Sequence, residues 1–196
     1  MSSNPPEGLA GRATYFDVAF VCTGNRFRSP LAAALMAARA DDLPVRTSSV
    51  GVLDLGSTTV LPEADRLARS FGVDLSGHRT RCLNDANLES FDLVLAFEWT
   101  QVHAAIVDGG ARIERTFTLP ELVGLLERLP HGPEAHSTPV LQARARVEAA
   151  HSLRPPDFRR TRSPEIPDPL GRSSSAQRRI AEEVRMLVDD LSRLLF

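Results

Sequence analysis

The amino-acid sequence predicts an α/β protein: a four-stranded parallel sheet with helices on both faces, in three layers. Three observations carry that reading. Strand-like and helix-like runs alternate from Tyr15 to Leu129, the rhythm of a βαβ chain. The strand runs, such as Tyr15-Phe-Asp-Val-Ala-Phe-Val-Cys22, are almost continuously apolar, as strands buried on both faces are. The chain closes on a long amphipathic run in which Ile180, Val184, Leu187, Val188, Leu191, Leu194 and Leu195 share one face.

The elements follow in order. Met1 to Ala13 is polar and rich in Pro and Gly, and reads as a loose tail before a single domain over 14–196. The first strand runs to Cys22 and ends at the turn Thr23-Gly24-Asn25. Ser29-Pro30 reads as the start of a helix, with Ser29 as N-cap, continuing to about Ala40. Val45 to Gly51 is a second strand and Leu53 to Leu61 a loop. Pro62 to Phe71 is a short helix stopped by Gly72. Phe91 to Phe97 is a third strand, followed by a helix from Trp99 to Val107. Ile113 to Leu119 is a fourth strand and Pro120 to Leu129 a short helix. The segment at about 130–165 breaks the rhythm. Pro130 to Pro169 holds eight of the fourteen prolines, and Arg144 to Arg162 is arginine-rich. It is expected as an insertion or flap, with a helix from about Val140 to His151, whose arginines either meet an acidic or phosphorylated substrate or stay solvated.

Composition narrows the function classes. With 196 residues the chain is sized for one domain. Hydrophobic and charged fractions of 42% and 24% are globular values, which excludes wholesale disorder. A net charge of -2 provides no basic field for nucleic acid or an anionic membrane. No apolar run reaches the roughly 18 residues of a membrane span, and Met1 to Gly8 lacks the basic and apolar regions of a signal peptide. A cytoplasmic protein, favoured as a monomer, is expected. Its two cysteines, Cys22 and Cys82, are too few to staple a secreted fold. All 23 basic residues are arginine, which removes lysine Schiff-base and lysine P-loop chemistry. The histidines His103, His131, His136 and His151 show no metal-ligand spacing, so no metal and no cofactor is expected.

Chemistry concentrates in Val21-Cys22-Thr23-Gly24-Asn25-Arg26-Phe27-Arg28-Ser29-Pro30. This stretch lies between a strand end and a helix start, where ligands of open parallel sheets bind. A helix N-terminus presents unpaired N–H groups and a positive dipole end, and successive N–H groups curling round one point make an anion nest. Gly24 and Asn25 tolerate positive φ. Arg28 adds a planar fork matched to phosphate. Such a field favours the thiolate form of a cysteine, and the Ser29 hydroxyl is placed to donate to the Cys22 sulfur. A thiolate facing a bound tetrahedral oxyanion is the layout for covalent phosphoryl transfer.

That stretch resembles the signature loop of the low-molecular-weight protein tyrosine phosphatases. Further matches follow in the family's order. Ser49-Val50-Gly51 resembles the family's Ser-Ala-Gly, and Asp74-Leu-Ser-Gly-His78-Arg-Thr-Arg81 resembles its Ser-x-His-x-x-Arg stretch. Ile166-Pro167-Asp168-Pro169 resembles the loop that carries the general acid. The resemblance implies the phosphotyrosine protein phosphatase I-like fold and hydrolysis of a phosphorylated protein or small phosphoester through a phosphocysteine intermediate. It implies Cys22 as nucleophile and Arg28 as the phosphoryl clamp. The N–H groups of Thr23, Gly24, Asn25, Arg26, Phe27 and Arg28 would bind phosphate. Ser29, Ser49 and His78 would support Asn25 and the loop, and Asp168 would be the acid and then the base.

The sequence departs from the family pattern at three places. Phe27 stands where many members carry a second loop cysteine, so a disulfide inside the loop is not expected. Leu170 stands where members that act on phosphotyrosine place a tyrosine, and Val52 to Ser70 holds no aromatic residue. Phe27, Leu55 and Leu170 are left as walls for a substrate. The 130–165 segment is longer than the family's usual connection. Two alternatives share the loop: a single-cysteine arsenate reductase that uses a small external thiol, and a phosphate-binding module without catalysis. Cys82 reads as a small buried residue.

Overall fold

A computed structural model describes residues 14–40, 42–130, 138–155 and 164–196. The tail before Thr14, His131, His136 and the arginines Arg159, Arg160 and Arg162 lie outside the described residues.

Four strands form one parallel sheet: β1 (Phe16–Cys22), β2 (Val45–Gly51), β3 (Leu93–Ala96) and β4 (Thr116–Thr118), in the order β2-β1-β3-β4. In β1, Phe16, Val18 and Phe20 face one side and Ala19 and Val21 the other, the period-2 alternation of a strand. The larger face packs under α1 (Arg28–Arg39), α2 (Pro62–Ser70), α4 (Leu119–Leu126), α5 (Pro139–Ser152) and α6 (Ser174–Leu195). The smaller face, with Ala19, Ala96 and Val94, takes α3 (Trp99–Val107) and two single helical turns at Leu83–Asp85 and Leu88–Ser90. Three layers result, as expected.

The connection pattern fixes where a ligand can sit. The chain leaves β1 for β2 on one side, then returns to β3 on the other. The carboxyl end of β1 is therefore a switch point, where the flanking connections diverge and leave a crevice. Cys22 is the last residue of β1 and pairs with Gly51 at the end of β2.

Several boundaries differ from the sequence reading. β3 begins at Leu93, not Phe91: the Asp17 N–H donates to the Asp92 carboxylate at 3.0 Å in place of a backbone carbonyl, so the ladder with β1 starts one residue later, at Val18 and Leu93. Residues Ile113–Arg115 form a helical turn and only Thr116–Thr118 is strand. Helix α4 starts early because Thr118 and Glu121 form a capping box. The two single turns after Cys82 are too short to leave a periodic signal.

Within the 130–165 segment, α5 buries Val140, Ala143, Val147 and Ala150 in the main core. The expectation that its arginines face a substrate or solvent is corrected for Arg144 and Arg154. Arg144 grips Asp92 with Nε at 2.9 Å and Nη2 at 3.0 Å. Arg154 grips Glu121 at 2.9 and 3.0 Å, donates to the Thr116 carbonyl at 2.6 Å, and lies 3.7 Å over the Phe117 ring. Both arginines fasten the added helix to the sheet's lower edge.

Candidate active site

The loop from Cys22 to Arg28 is held from outside by its carbonyls. Those of Cys22, Thr23 and Arg26 accept from the N–H groups of Val52 (2.9 Å), Leu53 (2.8 Å) and Leu61 (2.9 Å), and that of Asn25 meets His78 Nε2 at 2.9 Å. Across a trans peptide the N–H points opposite to the C=O. The N–H groups of Thr23, Gly24, Arg26 and Phe27 thus turn toward the inside of the curl, and none has a hydrogen-bond partner among the described residues. The Asn25 N–H donates to Cys22 Sγ at 3.2 Å. An inward set of unpaired donors around one sulfur is an anion nest.

Asn25 sets the shape of the curl. It is fully buried and is the one non-glycine residue with positive φ, +52°, among the described residues. Its Nδ2 donates to Ser29 Oγ and Ser49 Oγ, each at 2.9 Å, and its Oδ1 accepts from the Arg81 N–H at 3.0 Å. The reach from Ser49, His78 and Arg81 explains why three distant stretches accompany the loop. Gly51 has a separate reason: a Cβ there would stand 3.0 Å from the Asn25 nitrogen and the Gly24 carbonyl carbon, so any side chain would press the loop backbone out of place by a few tenths of an ångström.

Ser29 is not the N-cap of α1. The helix begins at Arg28, with Phe27 as the capping position and no side-chain cap. The Ser29 hydroxyl is committed elsewhere: it lies 3.0 Å from Cys22 Sγ, accepts from Asn25 and is 3.3 Å from the Val50 carbonyl. The Asn25 amide fills an acceptor site, and the single hydroxyl proton is shared between the sulfur and the Val50 carbonyl.

Arg28 is almost completely buried. Its Nη1 donates to Glu98 Oε1 and to the Ile166 carbonyl at 2.9 Å; its Nη2 donates to Asp168 Oδ2 at 2.6 Å and to Thr23 Oγ1 at 3.3 Å. The guanidinium also lies 5.7 Å from the centre of the Phe97 ring. Asp168, partly exposed, receives a second hydrogen bond from the Leu170 N–H at 2.9 Å. Gln101 ties this corner together: its Oε1 accepts from the N–H groups of Phe97 and Glu98, and its Nε2 donates to Thr23 Oγ1. Sequence reasoning missed Glu98 and Gln101. Glu98 carried a usable signal, an acidic residue directly after the third strand and so at the carboxyl edge of the sheet.

These groups open on a cleft of about 270 Å³ lined by Cys22, Thr23, Gly24, Arg26, Phe27, Arg28, Leu53, Leu55, Leu61, Asp168 and Leu170. Apart from Phe27 its apolar walls are aliphatic. Cys82 is not part of it. Its backbone bridges Gly51, which pairs with Cys22. Two strand spacings, about 9–10 Å, separate the two cysteines, beyond the reach of a disulfide. Both are free.

A nest of inward N–H groups around a strand-end cysteine, with a buried arginine and a carboxylate at its mouth, defines a cysteine-dependent phosphatase. Comparison with known proteins gives the family. A sequence model described as low molecular weight phosphotyrosine protein phosphatase matches residues 17–125. The protein-arginine-phosphatase of Bacillus subtilis (strain 168) is 36% identical over 111 residues, which span 55% of this chain and 72% of that one. The low molecular weight protein-tyrosine-phosphatase Etp of Escherichia coli (strain K12) is 39% identical over 79 residues, 40% of this chain and 51% of that one. Among solved structures, the low molecular weight protein tyrosine phosphatase from T. tengcongensis superposes with a TM-score of 0.66 at 25% identity, over 90% of this chain and 97% of that one. The chain belongs to the low molecular weight phosphotyrosine protein phosphatase family. It is a phosphomonoester hydrolase that works through a cysteine-bound intermediate. No described helix is long and apolar enough to cross a membrane.

Proposed function

We propose that Cys22 is the nucleophile, Arg28 the phosphoryl clamp and Asp168 the proton donor and acceptor. The observation that carries this reading is the set of unpaired loop N–H groups surrounding the Cys22 sulfur. In the first step Sγ attacks phosphorus in line, the P–O ester bond breaks, and the leaving oxygen takes a proton from Asp168. In the second step a water attacks the phosphocysteine, giving its proton to Asp168, and the S–P bond breaks to release phosphate. The negative charge on the equatorial oxygens meets the loop N–H groups, fixed in advance by the carbonyl ties, so that little reorganisation is needed. The Ser29 hydroxyl stabilises the sulfur as attacker and as leaving group. Arg28 starts on Asp168 and Glu98. Phosphate entry draws its Nη2 away, which frees Asp168 Oδ2 for the leaving group, while Glu98 keeps the other nitrogen in place.

The substrate in this reading is a phosphorylated side chain of a protein, met by one chain in the reducing cytoplasm, where thiols persist. The aliphatic walls at Leu53, Leu55 and Leu170 favour a second reading, a phosphoarginine side chain in place of phosphotyrosine, in which the bond that breaks is P–N and Asp168 gives its proton to the leaving guanidine nitrogen. An alkyl-guanidine stem needs apolar walls but no aromatic partner, and the Bacillus subtilis relative bears the name protein-arginine-phosphatase.

The test is hydrolysis of an aryl phosphate, then of matched phosphotyrosine and phosphoarginine peptides. Cys22→Ser should show no turnover. Asp168→Ala should lower kcat about 10²- to 10³-fold, with phosphoenzyme still trapped by rapid quench. Turnover by Cys22→Ser equal to wild type overturns the reading.

A further inference from the structure

The cleft holds a second arginine that the mechanism does not use. Arg26 follows Asn25 in the loop, its carbonyl tied to the Leu61 N–H at 2.9 Å. Its side chain lines the cleft together with Leu55, Asp168 and Leu170 and is half-buried, with part of it open to solvent. Its Nε donates to the Thr59 carbonyl at 3.0 Å. Its two terminal nitrogens have no acceptor, and no carboxylate forms an ion pair with it among the described residues. The contrast with its neighbours is plain. Arg28 spends its fork on Glu98, Asp168, Ile166 and Thr23. Of the charges on the loops that supply this cleft, Asp168 is held by Arg28 and the Leu170 N–H, Arg172 donates its Nε to the Asp168 carbonyl, and Asp54 accepts from the Gly56 N–H.

We propose that Arg26 is a specificity-determining residue that selects phosphorylated peptide segments carrying a carboxylate next to the phosphorylated residue. This rests on the reading of Cys22 as the phosphate-accepting centre. The reactive phosphate there already meets the loop N–H groups and Arg28. A guanidinium at the mouth instead meets what flanks the phosphorylated side chain. The Thr59 carbonyl anchors Nε, so part of the rotamer freedom is already spent before substrate arrives, and the two outer nitrogens present the planar fork that a carboxylate fits. With no counter-charge on Arg26 among the described residues, a carboxylate need not displace one of them.

The experiment measures kcat/KM of the full chain on matched phosphopeptides with Glu, Gln or Lys on either side of the phosphorylated residue. Wild type should prefer Glu over Gln by about three- to fivefold at low salt, the range of a partly exposed ion pair, and Gln over Lys. The preference should shrink at about 0.5 M salt. In Arg26→Gln the Glu/Gln ratio should fall to about one, and in Arg26→Glu the order should invert. A wild-type ratio of one, a ratio unmoved in Arg26→Gln, or a ratio lost in Arg172→Gln but kept in Arg26→Gln overturns the proposal. Where the Arg26 variants do not fold, the wild-type ratio, its salt dependence and Arg172→Gln still decide. Failure of wild type to hydrolyse an aryl phosphate would sink the Cys22 reading itself. Aryl phosphate turnover with a flat peptide panel sinks the Arg26 proposal alone.

Discussion

Asn25 shows how one side chain can hold an unfavourable backbone. A non-glycine residue in the left-handed region costs on the order of 1 kcal/mol, and here three side-chain hydrogen bonds plus the His78 contact to its carbonyl repay it. His78 must be neutral to do this cheaply. Burial pushes its pKa below the usual 6.5; the bond to the Asn25 carbonyl opposes that shift and Arg79 adds to it. The sign of the pH effect follows. As pH falls below 6.5 the unfolded chain takes up the proton first, so stability is lost between 6.5 and the lower folded value, then levels off. The expected outcome is a thermal midpoint that drops more steeply in wild type than in His78→Gln from about pH 7 to about pH 5. Parallel curves by differential scanning calorimetry would show that His78 carries no such linkage.

At the scale of the element, helix α5 shows what anchors a segment outside the alternating strand–helix rhythm. Its apolar face is modest, and polar clamps complete it. Arg154, just past its C-terminus, has a nearly buried side chain paired with a nearly buried Glu121. Truncating one partner of such a pair leaves the other charge uncompensated, at a cost of about 3–5 kcal/mol. Arg154→Ala should therefore lower unfolding stability by about 3 kcal/mol or more in urea titration, while Arg178→Ala, an exposed i,i+4 partner of Glu182, should change it by less than about 0.5 kcal/mol. Equal effects would mean that the clamp is an ornament of the surface.

For the whole molecule, the loop that leads from Cys22 to Arg28 and the C-terminal helix share one core. Helix α1, which starts at Arg28, packs with α6, and Leu31, Leu35, Val188 and Leu191 belong to the same main cluster. The loop's stability is thus inseparable from the far end of the chain. Leu191 is fully buried, and Leu191→Ala should cost about 2–5 kcal/mol. Activity toward an aryl phosphate and far-UV circular dichroism should be lost at the same lowered midpoint, as in a two-state domain. Activity lost well before the helix signal would show a loop that melts on its own.

The local signals were legible because their causes are local. Alternating apolar runs placed all four strands, and the contiguous run from Cys22 to Pro30 marked the anion loop, since a strand end, a turn residue tolerant of positive φ and a helix start are written side by side. Ser29 shows the limit: the Ser-Pro pair looked like a cap, yet the hydroxyl serves the sulfur, because the competing acceptor and donor, Cys22 and Asn25, are near only once the loop curls. By itself, then, the sequence determined the class of fold and which residue types make up the loop. Only the tertiary structure decided what holds Arg28, which arginines turn inward and which one, among the described residues, lines the cleft without an ion-pair partner. Glu98, Ile166 and Asp168 reach Arg28 across 70 to 140 positions of chain, and a charge's partner is set by distance in space, which no local pattern encodes.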